Sequence, residues 1–464
     1  MNRLNTLPTL RINPSEKLSL NYRGRTLQGV KGDTVATALH ANGVRVFARS
    51  LKYHRPRGLY SLDGECSNAM MDVDGIPNQR AETLLLKDGM QVREQNVVGS
   101  ADRDFMGFMD KLDWMMPAGF YYKTLHKPAW IWPIAMKQVR KAAGLGAISA
   151  DFEMTGTYTD VFTTVDVCVI GGGAAGMTAA LAAAEKGLRV ALIESRPWLG
   201  GCFEYRAAPY DGGKPLYERA RELAAQVEKT PNIRVFVHAS VVGTYNNNLV
   251  TAFQVGGDGD SFDERYIEVR ATGIVVATGC IERPLLFDNN ERPGVMQVAC
   301  AHRMARTYGL LPGTQAVFSV GHDLGLEAAV DLFDLGLKIA CVADIREDGQ
   351  SPELMLALKE RKIPVLLGWV AAKAHGCKTV KRVTLATVDG TISRNFDCDL
   401  LVASAGLTPV TGPATLAQAR TSYDQHTGWF LVTALPEKMT VAGRMTGLGD
   451  PLAIEASGRL AGLQ

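Results

Sequence analysis

The sequence predicts an α/β protein with two dinucleotide-binding, Rossmann-like domains, the second inserted into the first, and a small β-grasp domain before them. Two stretches carry the order strand, glycine-containing turn, helix and strand, one from residue 165 and one from about residue 314. A strand hairpin, a helix, a long loop and further short strands follow one another within residues 16–100, which is typical of a β-grasp fold.

Composition limits the class of protein. A chain of 464 residues exceeds one hydrophobic core, so several domains are expected. The net charge of +2 indicates neither nucleic acid nor an anionic membrane as a partner. The chain has no long apolar stretch and no secretory signal, and its eight cysteines are scattered without a CxxC pair. We therefore expect a cytoplasmic protein that binds no membrane.

Changes in sequence pattern predict the domain boundaries. Residues 1–100 form the β-grasp domain, and residues 101–160 form a connector rich in aromatic residues and proline. This connector is too aromatic for a disordered tether, so it packs either within the chain or over a partner. Residues 161–285 together with 400–464 form the first nucleotide-binding domain, and residues 286–399 form the inserted Rossmann-like domain.

The first elements follow from local patterns. Residues 18–22 and 26–30 alternate apolar and polar side chains around Gly24, which predicts a β-hairpin. The tripeptide Gly32-Asp33-Thr34 offers N-cap chemistry, and Asn42-Gly43 ends the helix predicted for residues 35–41.

The strongest motif is the glycine turn Gly171-x-Gly173-x-x-Gly176, between an apolar strand and an alanine-rich helix. Gly171 permits the tight turn, Gly173 lets a pyrophosphate approach the backbone, and Gly176 lets helix and strand pack closely. The helix N-terminus offers free N–H groups to phosphates. Glu194 ends the next strand, where a carboxylate accepts hydrogen bonds from ribose hydroxyls.

The last strand departs from the pattern of FAD proteins. FAD proteins of this architecture typically have Gly-Asp there, whereas this chain has Gly443-Arg444, and a cation suits phosphate but does not accept hydroxyl hydrogen bonds. FAD and NAD therefore both remain open for the first site. The predicted cofactor-binding residues are Gly171, Gly173, Ala174, Ala175, Gly176, Glu194, Ser195, Arg196, Gly200, Gly201, Ala277, Thr278, Gly279, Gly443 and Arg444.

The second glycine turn is degraded. Gly321 is retained, but Asp323 and Leu326 stand at the second and third glycine positions. A carboxylate would lie where a pyrophosphate should, although Asp344 still ends the next strand as a ribose partner would. We expect a Rossmann-like domain retained for its shape, without tight NAD(P)H binding.

The N-terminal domain is expected to be ferredoxin-like but without its cluster. The C-x4-C-x2-C spacing and later fourth cysteine of plant-type ferredoxins fall on Ser61, Cys66, Ala69 and Glu82, so one of four ligands remains. The expectation is that this chain holds no iron–sulfur cluster and no other metal. No residue combination indicates a substrate-oxidising base, so the catalytic residues are unknown.

Several motifs in order carry a family resemblance. SLKYHRPRG (50–58), the cluster spacing, PAGFYYKT (117–124), DVCVIGGGAAG (166–176) and GCIERPLLFDNNERPGVM (279–296) resemble the α subunit of heterotetrameric sarcosine oxidases, over its N-terminal half. Related α subunits serve proline, hydroxyproline and N-methylglutamate dehydrogenases and opine oxidases. The sarcosine oxidase α subunits continue into a folate-binding half, and the shorter length here favours a dehydrogenase-like relative.

The resemblance implies a division of labour. A β subunit similar to D-amino acid oxidases, with or without further small subunits, would oxidise the CH–NH bond of a secondary amine or amino acid. An FMN at the subunit interface would then take the electrons, and this chain, active only in the complex, would bind its own dinucleotide. The alternatives are a self-sufficient NAD(P)H-dependent FAD oxidoreductase and a non-catalytic scaffold subunit with a bound nucleotide.

Overall fold

The computed structural model describes residues 3–116, 119, 123, 127–142, 144, 146–149, 151–153, 155–257 and 259–464. The chain divides into two compact units: Met1–Phe152 with Pro284–Gly406, and Glu153–Arg283 with Leu407–Gln464. Much of the PAGFYYKT motif lies outside the described residues. Among the described residues, every helix is too short or too polar to cross a membrane. The domain boundaries given above remain predictions.

The first unit begins with a mixed five-stranded sheet, in the order β2-β1-β7-β5-β6. Its elements, with the short pairs that follow the helix, are β1 (Asn13–Tyr22), β2 (Arg25–Lys31), α1 (Val35–Ala41), β3 (Ala48–Arg49), β4 (Pro56–Arg57), β5 (Met70–Val73), β6 (Ile76–Arg80), β7 (Met90–Arg93), β8 (Gly99–Ser100) and β9 (Arg103–Asp104).

Local chemistry explains the hairpin and the helix. Arg23 and Gly24 both have positive φ, as a two-residue turn of type I′ requires, so the predicted hairpin is confirmed. Thr34 accepts a hydrogen bond from the Thr37 backbone N–H, and the Thr37 side chain accepts one from the Thr34 backbone N–H. This capping box starts α1 at the predicted residue.

The predicted connector begins with a 3-10 helix, Phe105–Met115, followed by α2 (Ile131–Ala142). Asp104 caps the 3-10 helix by accepting a hydrogen bond from the Met106 backbone N–H at 3.0 Å. None of its side chains is buried within the described chain, although most of them are apolar.

The second unit is built on a sheet in the order β12-β11-β10-β15-β14-β13, with the strand Met439–Val441 beside β15. Its first part comprises β10 (Tyr158–Ile170), α3 (Ala174–Glu185), β11 (Val190–Ile193), α4 (Leu216–Lys229), β12 (Ile233–Phe236), β13 (Ala239–Tyr245), β14 (Leu249–Val255), β15 (Glu264–Val276) and β16 (Cys280–Glu282), with 3-10 turns at Gly201–Phe203, Asp211–Gly213 and Asn246–Asn248.

Two strands in this unit are long, and one of them is longer than the sequence predicts. The sequence predicts an apolar strand from residue 165, whereas β10 begins at Tyr158 and pairs with β15 along its whole length. β15 runs unbroken from Glu264 to Val276. The apolar ends of both strands lie in the core. Their amphipathic beginnings pair with each other, and β15 pairs on its other side with the antiparallel strand β14, which in turn pairs with β13.

The first unit resumes with the second Rossmann-like sheet, which is parallel in the order β17-β24-β18-β19-β20. Its elements, with an antiparallel three-stranded sheet, are β17 (Val295–Met296), α5 (Val298–Tyr308), β18 (Gln315–Val320), α6 (Asp323–Asp334), β19 (Lys338–Asp344), α7 (Pro352–Glu360), β20 (Val365–Leu367), β21 (Trp369–His375), β22 (Arg382–Thr387), β23 (Ser393–Asp397) and β24 (Leu400–Ala403).

The N-terminal segment closes the end of α5. The α5 carbonyls of Arg306 and Thr307 accept hydrogen bonds from the Thr9 hydroxyl at 2.7 Å and the Arg11 backbone N–H at 3.0 Å. The Arg3 guanidinium contacts the Tyr308 carbonyl and the Asp33 carboxylate. Carbonyls that a helix C-terminus leaves unpaired are thus satisfied by a distant part of the chain.

The second unit ends with elements that return to its sheet and to α3. They are β25 (Leu407–Pro409), α8 (Gly412–Leu416), β26 (Arg420–Asp424), β27 (Trp429–Ala434), β28 (Met439–Val441), a 3-10 turn at Gly443–Thr446 and α9 (Pro451–Leu463). Helix α9 lies directly against α3 because two of its positions are glycine. A Cβ at Gly458 would lie 2.1 Å from the Ala175 carbonyl oxygen, and one at Gly462 equally close to that of Ala179.

We expect His40→Leu to remove a loss of folding stability that the first unit undergoes at acidic pH. His40 is fully buried in α1, and neither ring nitrogen has a hydrogen-bond partner among the described residues. Burial, with a smaller contribution from Arg45, holds the pKa of this imidazole well below its usual value, so the folded protein keeps it neutral. The unfolded chain takes up a proton below about pH 6.5, and this favours unfolding there.

Relative to His40→Leu, the unmodified protein is therefore expected to lose about 1.4 kcal/mol of unfolding free energy between about pH 7.5 and about pH 5.5. Urea unfolding at each pH measures the difference. The exposed His426 provides the control, because His426→Gln also removes an imidazole but does so outside the core. A difference between wild type and His40→Leu that stays constant with pH would show that His40 titrates normally in the folded state.

Candidate functional site

The first glycine turn joins β10 to α3 through two contacts that admit no side chain. A Cβ at Gly176 would lie 1.8 Å from the carbonyl oxygen of Gly171. A Cβ at Gly171, whose φ is +105°, would lie 2.5 Å from the carbonyl oxygen of Ala277. Helix α3 therefore begins in direct contact with the strand end, as the roles predicted for these two glycines require.

The middle glycine faces open space. A Cβ at Gly173 would meet only the Cα of Gly201, at the ordinary contact distance of 3.8 Å. Gly173 is also the N-cap of α3 and has no side chain to accept from the first N–H groups of the helix. The N–H groups of Ala174, Ala175 and Gly176 thus have no intrahelical acceptor at a site where a ligand can approach.

Glu194 supports the turn from the end of β11. Its carboxylate accepts hydrogen bonds from the Gly172 backbone N–H at 2.7 Å and the Arg196 backbone N–H at 2.8 Å, and from the Ser195 hydroxyl at 3.2 Å. The residue is buried. Because two carboxylate oxygens offer about four acceptor positions, room remains for a hydroxyl of a ligand.

The loop after Glu194 folds back onto the turn. The Gly200 backbone N–H donates to the Gly172 carbonyl at 2.9 Å, and a Cβ at Gly201 would lie 2.8 Å from the Gly173 Cα. The buried Glu204 lies 3.8 Å from Arg196 across this loop. Glu204 was not predicted as a site residue, since a lone acid after two glycines carries no recognisable pattern.

The end of β15 forms the next edge of the site. The Ala277 backbone N–H donates to the Ile170 carbonyl at 2.8 Å, and the Thr278 hydroxyl donates to the Val410 carbonyl at 2.6 Å. Gly279 has φ of +67° with open space where a side chain would be. These three predicted residues turn the chain away from the sheet beside the glycine turn.

The last strand brings a cation to the start of α3. Gly443, with φ of +80°, packs so closely on α3 that a Cβ there would lie 2.7 Å from the Ala175 Cβ. Its backbone N–H donates to Ser457 Oγ at 2.9 Å, a contact between residues on separate elements that sequence reasoning missed. The next residue, Arg444, is half-buried, and its guanidinium has no ion pair or hydrogen bond among the described residues.

The cysteine beside this cation is not set up as a nucleophile. The Cys280 thiol lies 3.5 Å from the Arg444 carbonyl oxygen. Burial raises the pKa of this thiol to about 12, although Arg444 acts in the opposite direction. Because the thiolate is the reactive form, Cys280 stays neutral and unreactive at ordinary pH. All eight cysteines are free thiols.

The second glycine turn is closed by an ion network. The Arg346 guanidinium donates to Asp323 at 2.8 Å and to the buried Asp344 at 2.7 Å. The carboxylate expected to bind ribose is thus bound to arginine, and the carboxylate at the pyrophosphate position is held in place. The close-packing glycine of this turn is Gly325, not position 326, because a Cβ at Gly325 would lie 2.5 Å from a Val320 methyl carbon.

The loop at the predicted cluster position is held together by hydrogen bonds. The buried Glu82 accepts from the Ser61 hydroxyl at 2.9 Å and from the Cys66 thiol at 3.3 Å. Burial, more than any neighbour, raises the pKa of Glu82. Within the described residues, no group of three or more His, Cys, Asp and Glu side chains is arranged to hold a metal ion.

Comparison with known families corrects one expectation about this domain. Residues 15–97 match the 2Fe-2S iron-sulfur cluster binding domain family. This match shows that the expectation of no iron–sulfur cluster is wrong. The expectation rested on the residues at four ligand positions, whereas a domain family is recognised by its whole pattern of strands, helix and loop. Ser61, Cys66 and Glu82 offer one thiol and do not fit a cluster held by four thiolates, so no chemical step is assigned to a cluster.

Three known proteins are similar to this chain. The sarcosine oxidase subunit alpha of Rhizobium meliloti (strain 1021) is 35% identical over 341 residues, covering 71% of this chain and 34% of that protein. The corresponding subunit of Corynebacterium sp. (strain P-1) is 28% identical over 473 residues, covering 98% and 44%. The crystal structure of L-proline dehydrogenase from P. horikoshii has a TM-score of 0.67 at 22% identity, covering 99% and 75%.

These similarities agree with the resemblance drawn from the motifs, and the chain spans less than half the length of these sarcosine oxidase subunits. The structural similarity extends over nearly the whole chain and shows its fold. The sequence of residues 165–432, which contains both glycine turns and the α/β sheets around them, matches the pyridine nucleotide-disulphide oxidoreductase family. The chain has a Rossmann-type α/β fold and belongs to the pyridine nucleotide-disulphide oxidoreductase family.

Proposed function

We propose that this chain is the α subunit of a multi-subunit, flavin-dependent amine or amino-acid oxidoreductase similar to sarcosine oxidase. In this proposal it binds a dinucleotide at the first glycine turn and forms one wall of an FMN site. A β subunit similar to D-amino acid oxidases would oxidise the CH–NH bond and supply the electrons. The names of the relatives, sarcosine oxidase subunit alpha, support the comparison with a subunit of a complex.

One observation supports the proposed dinucleotide site most directly: the start of α3 offers unpaired N–H groups where no described side chain blocks access. The open Cβ direction of Gly173 leaves room for a pyrophosphate. The half-buried guanidinium of Arg444 is attached next to Gly443, which packs on that same helix turn. Backbone N–H groups, a helix dipole and an unpaired cation all favour an anion.

The remaining predicted residues suit the other parts of a dinucleotide. Glu194 has acceptor capacity left for a ribose hydroxyl, and its charge disfavours a 2′-phosphate. Ser195, Arg196, Gly200 and Gly201 form the loop that borders the pyrophosphate position. A bound FAD would exchange hydride equivalents, and a bound NAD would do the same at its nicotinamide. Arg444 in place of the usual aspartate leaves FAD and NAD both open.

The second turn argues against the rival function, a self-sufficient NAD(P)H-dependent FAD oxidoreductase. A pyridine nucleotide there would have to displace Arg346 from the buried Asp344. Separating a buried carboxylate from its partner costs about 3–5 kcal/mol, which the ligand would have to supply from its own contacts. The third possibility, a scaffold whose nucleotide is only structural, differs from the main proposal in whether an FMN binds at the interface.

Gly173→Ala is expected to prevent nucleotide binding without disturbing the fold. The added methyl group would point into the space proposed for the pyrophosphate and meet no protein atom closer than 3.8 Å. We expect bound nucleotide, released by heat and quantified by chromatography, to fall at least about tenfold, with the unfolding midpoint of the nucleotide-free protein unchanged.

The matched control is Gly176→Ala, whose methyl group would lie 1.8 Å from a backbone oxygen and should destabilise the fold itself. A Gly173→Ala protein that retains its nucleotide at the wild-type level would rule out the proposed site.

Arg444→Gln is expected to weaken nucleotide binding roughly tenfold, because a hydrogen bond between charged groups contributes about 1.5–3 kcal/mol. Arg444→Lys should restore part of the affinity, since it keeps the charge but loses the planar donor pattern. Isothermal titration of nucleotide-stripped protein at low and high salt gives both numbers. Equal affinity and equal salt dependence for all three proteins would show that Arg444 does not contact phosphate.

The isolated chain is expected not to oxidise NADH. Because Arg346 holds both acids of the second turn, neither NADH nor NADPH should be consumed above background in the presence of an artificial electron acceptor and added FAD. Absorbance at the reduced nicotinamide band follows the reaction, and a known NADH oxidoreductase serves as positive control. Rapid turnover by the chain alone would favour the rival function.

A further inference from the structure

The second unit carries an exposed sheet face on which aromatic and acidic side chains alternate. We call it the checkerboard face, and it consists of Tyr158, Asp160 and Phe162 on β10, Glu264, Tyr266 and Glu268 on β15, and Phe253 on β14.

Strand register fixes the alternation. Tyr158 is paired with Glu264, and Phe162 with Glu268. Between these two rows, Tyr266 lies between Asp160 on one neighbouring strand and Phe253 on the other. Side chains directly opposite one another on neighbouring strands lie close enough to interact. Tyr158, Phe162 and Tyr266 therefore each have a carboxylate beside them, and Phe253 extends the aromatic surface next to Tyr266.

Folding of the unit does not account for these aromatic side chains. The opposite face of the same strands faces the core, where Ile267 and Ala252 are fully buried with Val161 packed against them. On the checkerboard face, Phe162 is 70% exposed, Tyr158 44% and Phe253 39%. A half-buried sheet normally places polar side chains on its outer face, so a group of exposed rings there marks an interaction surface.

Two of the carboxylates are available to a partner. The side-chain carboxylates of Asp160 and Glu268 form no ion pair or hydrogen bond with any residue in the described ranges. The basic Arg270 is exposed on β15, two residues after Glu268 and opposite Thr164, so it lies just outside the face. The face itself is therefore aromatic and negatively charged, although the whole chain has a net charge of +2.

The combination of aromatic rings and carboxylates on this face indicates which side chains of a partner would bind it. A guanidinium stacks on Tyr or Phe rings and pairs with carboxylates in one geometry, so arginine side chains match both halves of the pattern. Two copies of this chain meeting face to face would oppose carboxylate to carboxylate, which disfavours self-association. A small cation is also disfavoured, because small-molecule sites are concave and this is a pleated sheet face.

We propose that the checkerboard face binds another subunit of the complex through arginine side chains on that subunit. This inference rests on the proposed function for the existence of the subunit and adds where on this chain it docks and by what chemistry.

The test uses the tagged full-length chain expressed from its own chromosomal locus, so that its natural partners are present. Four proteins are compared: wild type, Phe162→Ser/Tyr266→Ser, Asp160→Lys/Glu268→Lys, and the control Phe430→Ser, an exposed aromatic residue on β27. Stoichiometric subunits that co-purify are quantified at low and high salt. Bound nucleotide and the unfolding midpoint are measured in the same samples.

We expect wild type and control to retain the subunit equally, and both checkerboard variants to retain at least about tenfold less, with bound nucleotide and unfolding midpoint unchanged. Zero-length coupling of carboxylates to amines in the wild-type complex should join Asp160 or Glu268 to lysines that lie near the arginines of that subunit.

A subunit retained equally by all four proteins, or a wild-type chain that purifies alone, overturns the docking surface. Absence of nucleotide from wild type would instead overturn the proposed function while leaving the docking comparison readable.

Discussion

The second unit depends on one close contact, between the first carbonyl of the glycine turn and the first turn of α3. A side chain at Gly176 would lie 1.8 Å from the Gly171 carbonyl oxygen, so the helix starts as near to the sheet as two backbones permit. This closeness directs the first N–H groups of the helix to the edge of the sheet, where the ends of β11, β15 and β28 meet the loops. Glu194, Ala277 and Gly443 each contact or border that turn. The candidate site is therefore a consequence of how the helix is packed.

The two glycine turns solve the same electrostatic problem in different ways. Unpaired N–H groups at a helix start need negative charge nearby. At the first turn the helix itself provides none, because Gly173 has no side chain and the first turn of α3 contains no acidic residue. The nearby Glu194 carboxylate is bound to the Gly172 and Arg196 N–H groups instead. At the second turn the chain provides its own acid in the first turn of α6, Asp323, and neutralises it with Arg346. The first turn is thus suited to an external anion, whereas the second is satisfied internally.

Local sequence patterns predict several elements of the fold and the first glycine turn, but they do not predict contacts between distant parts of the chain. The hairpin around Gly24, the start of α1 and the order of strand, turn and helix at Gly171 all follow from residues within a few positions of one another. The extension of β10 to Tyr158 was missed, because an amphipathic strand start resembles a loop when its partner strand lies far along the sequence. Ser457 and Arg346 were missed for a related reason, since their roles arise only when the fold brings them to the turns.

Family membership by itself does not assign disulphide chemistry to this chain. The Cys280 thiol beside the first site has its pKa raised to about 12 by burial and contacts a backbone carbonyl, so it lacks the thiolate character that exchange with a disulphide requires. The predicted site residues are instead glycines, backbone N–H groups, hydroxyls, the Glu194 carboxylate and the guanidinium groups of Arg196 and Arg444. Such groups can bind and orient phosphate and ribose but do not carry electrons. In the proposed function, redox chemistry at this site would come from the dinucleotide, and this chain would contribute the placement and charge environment of that group.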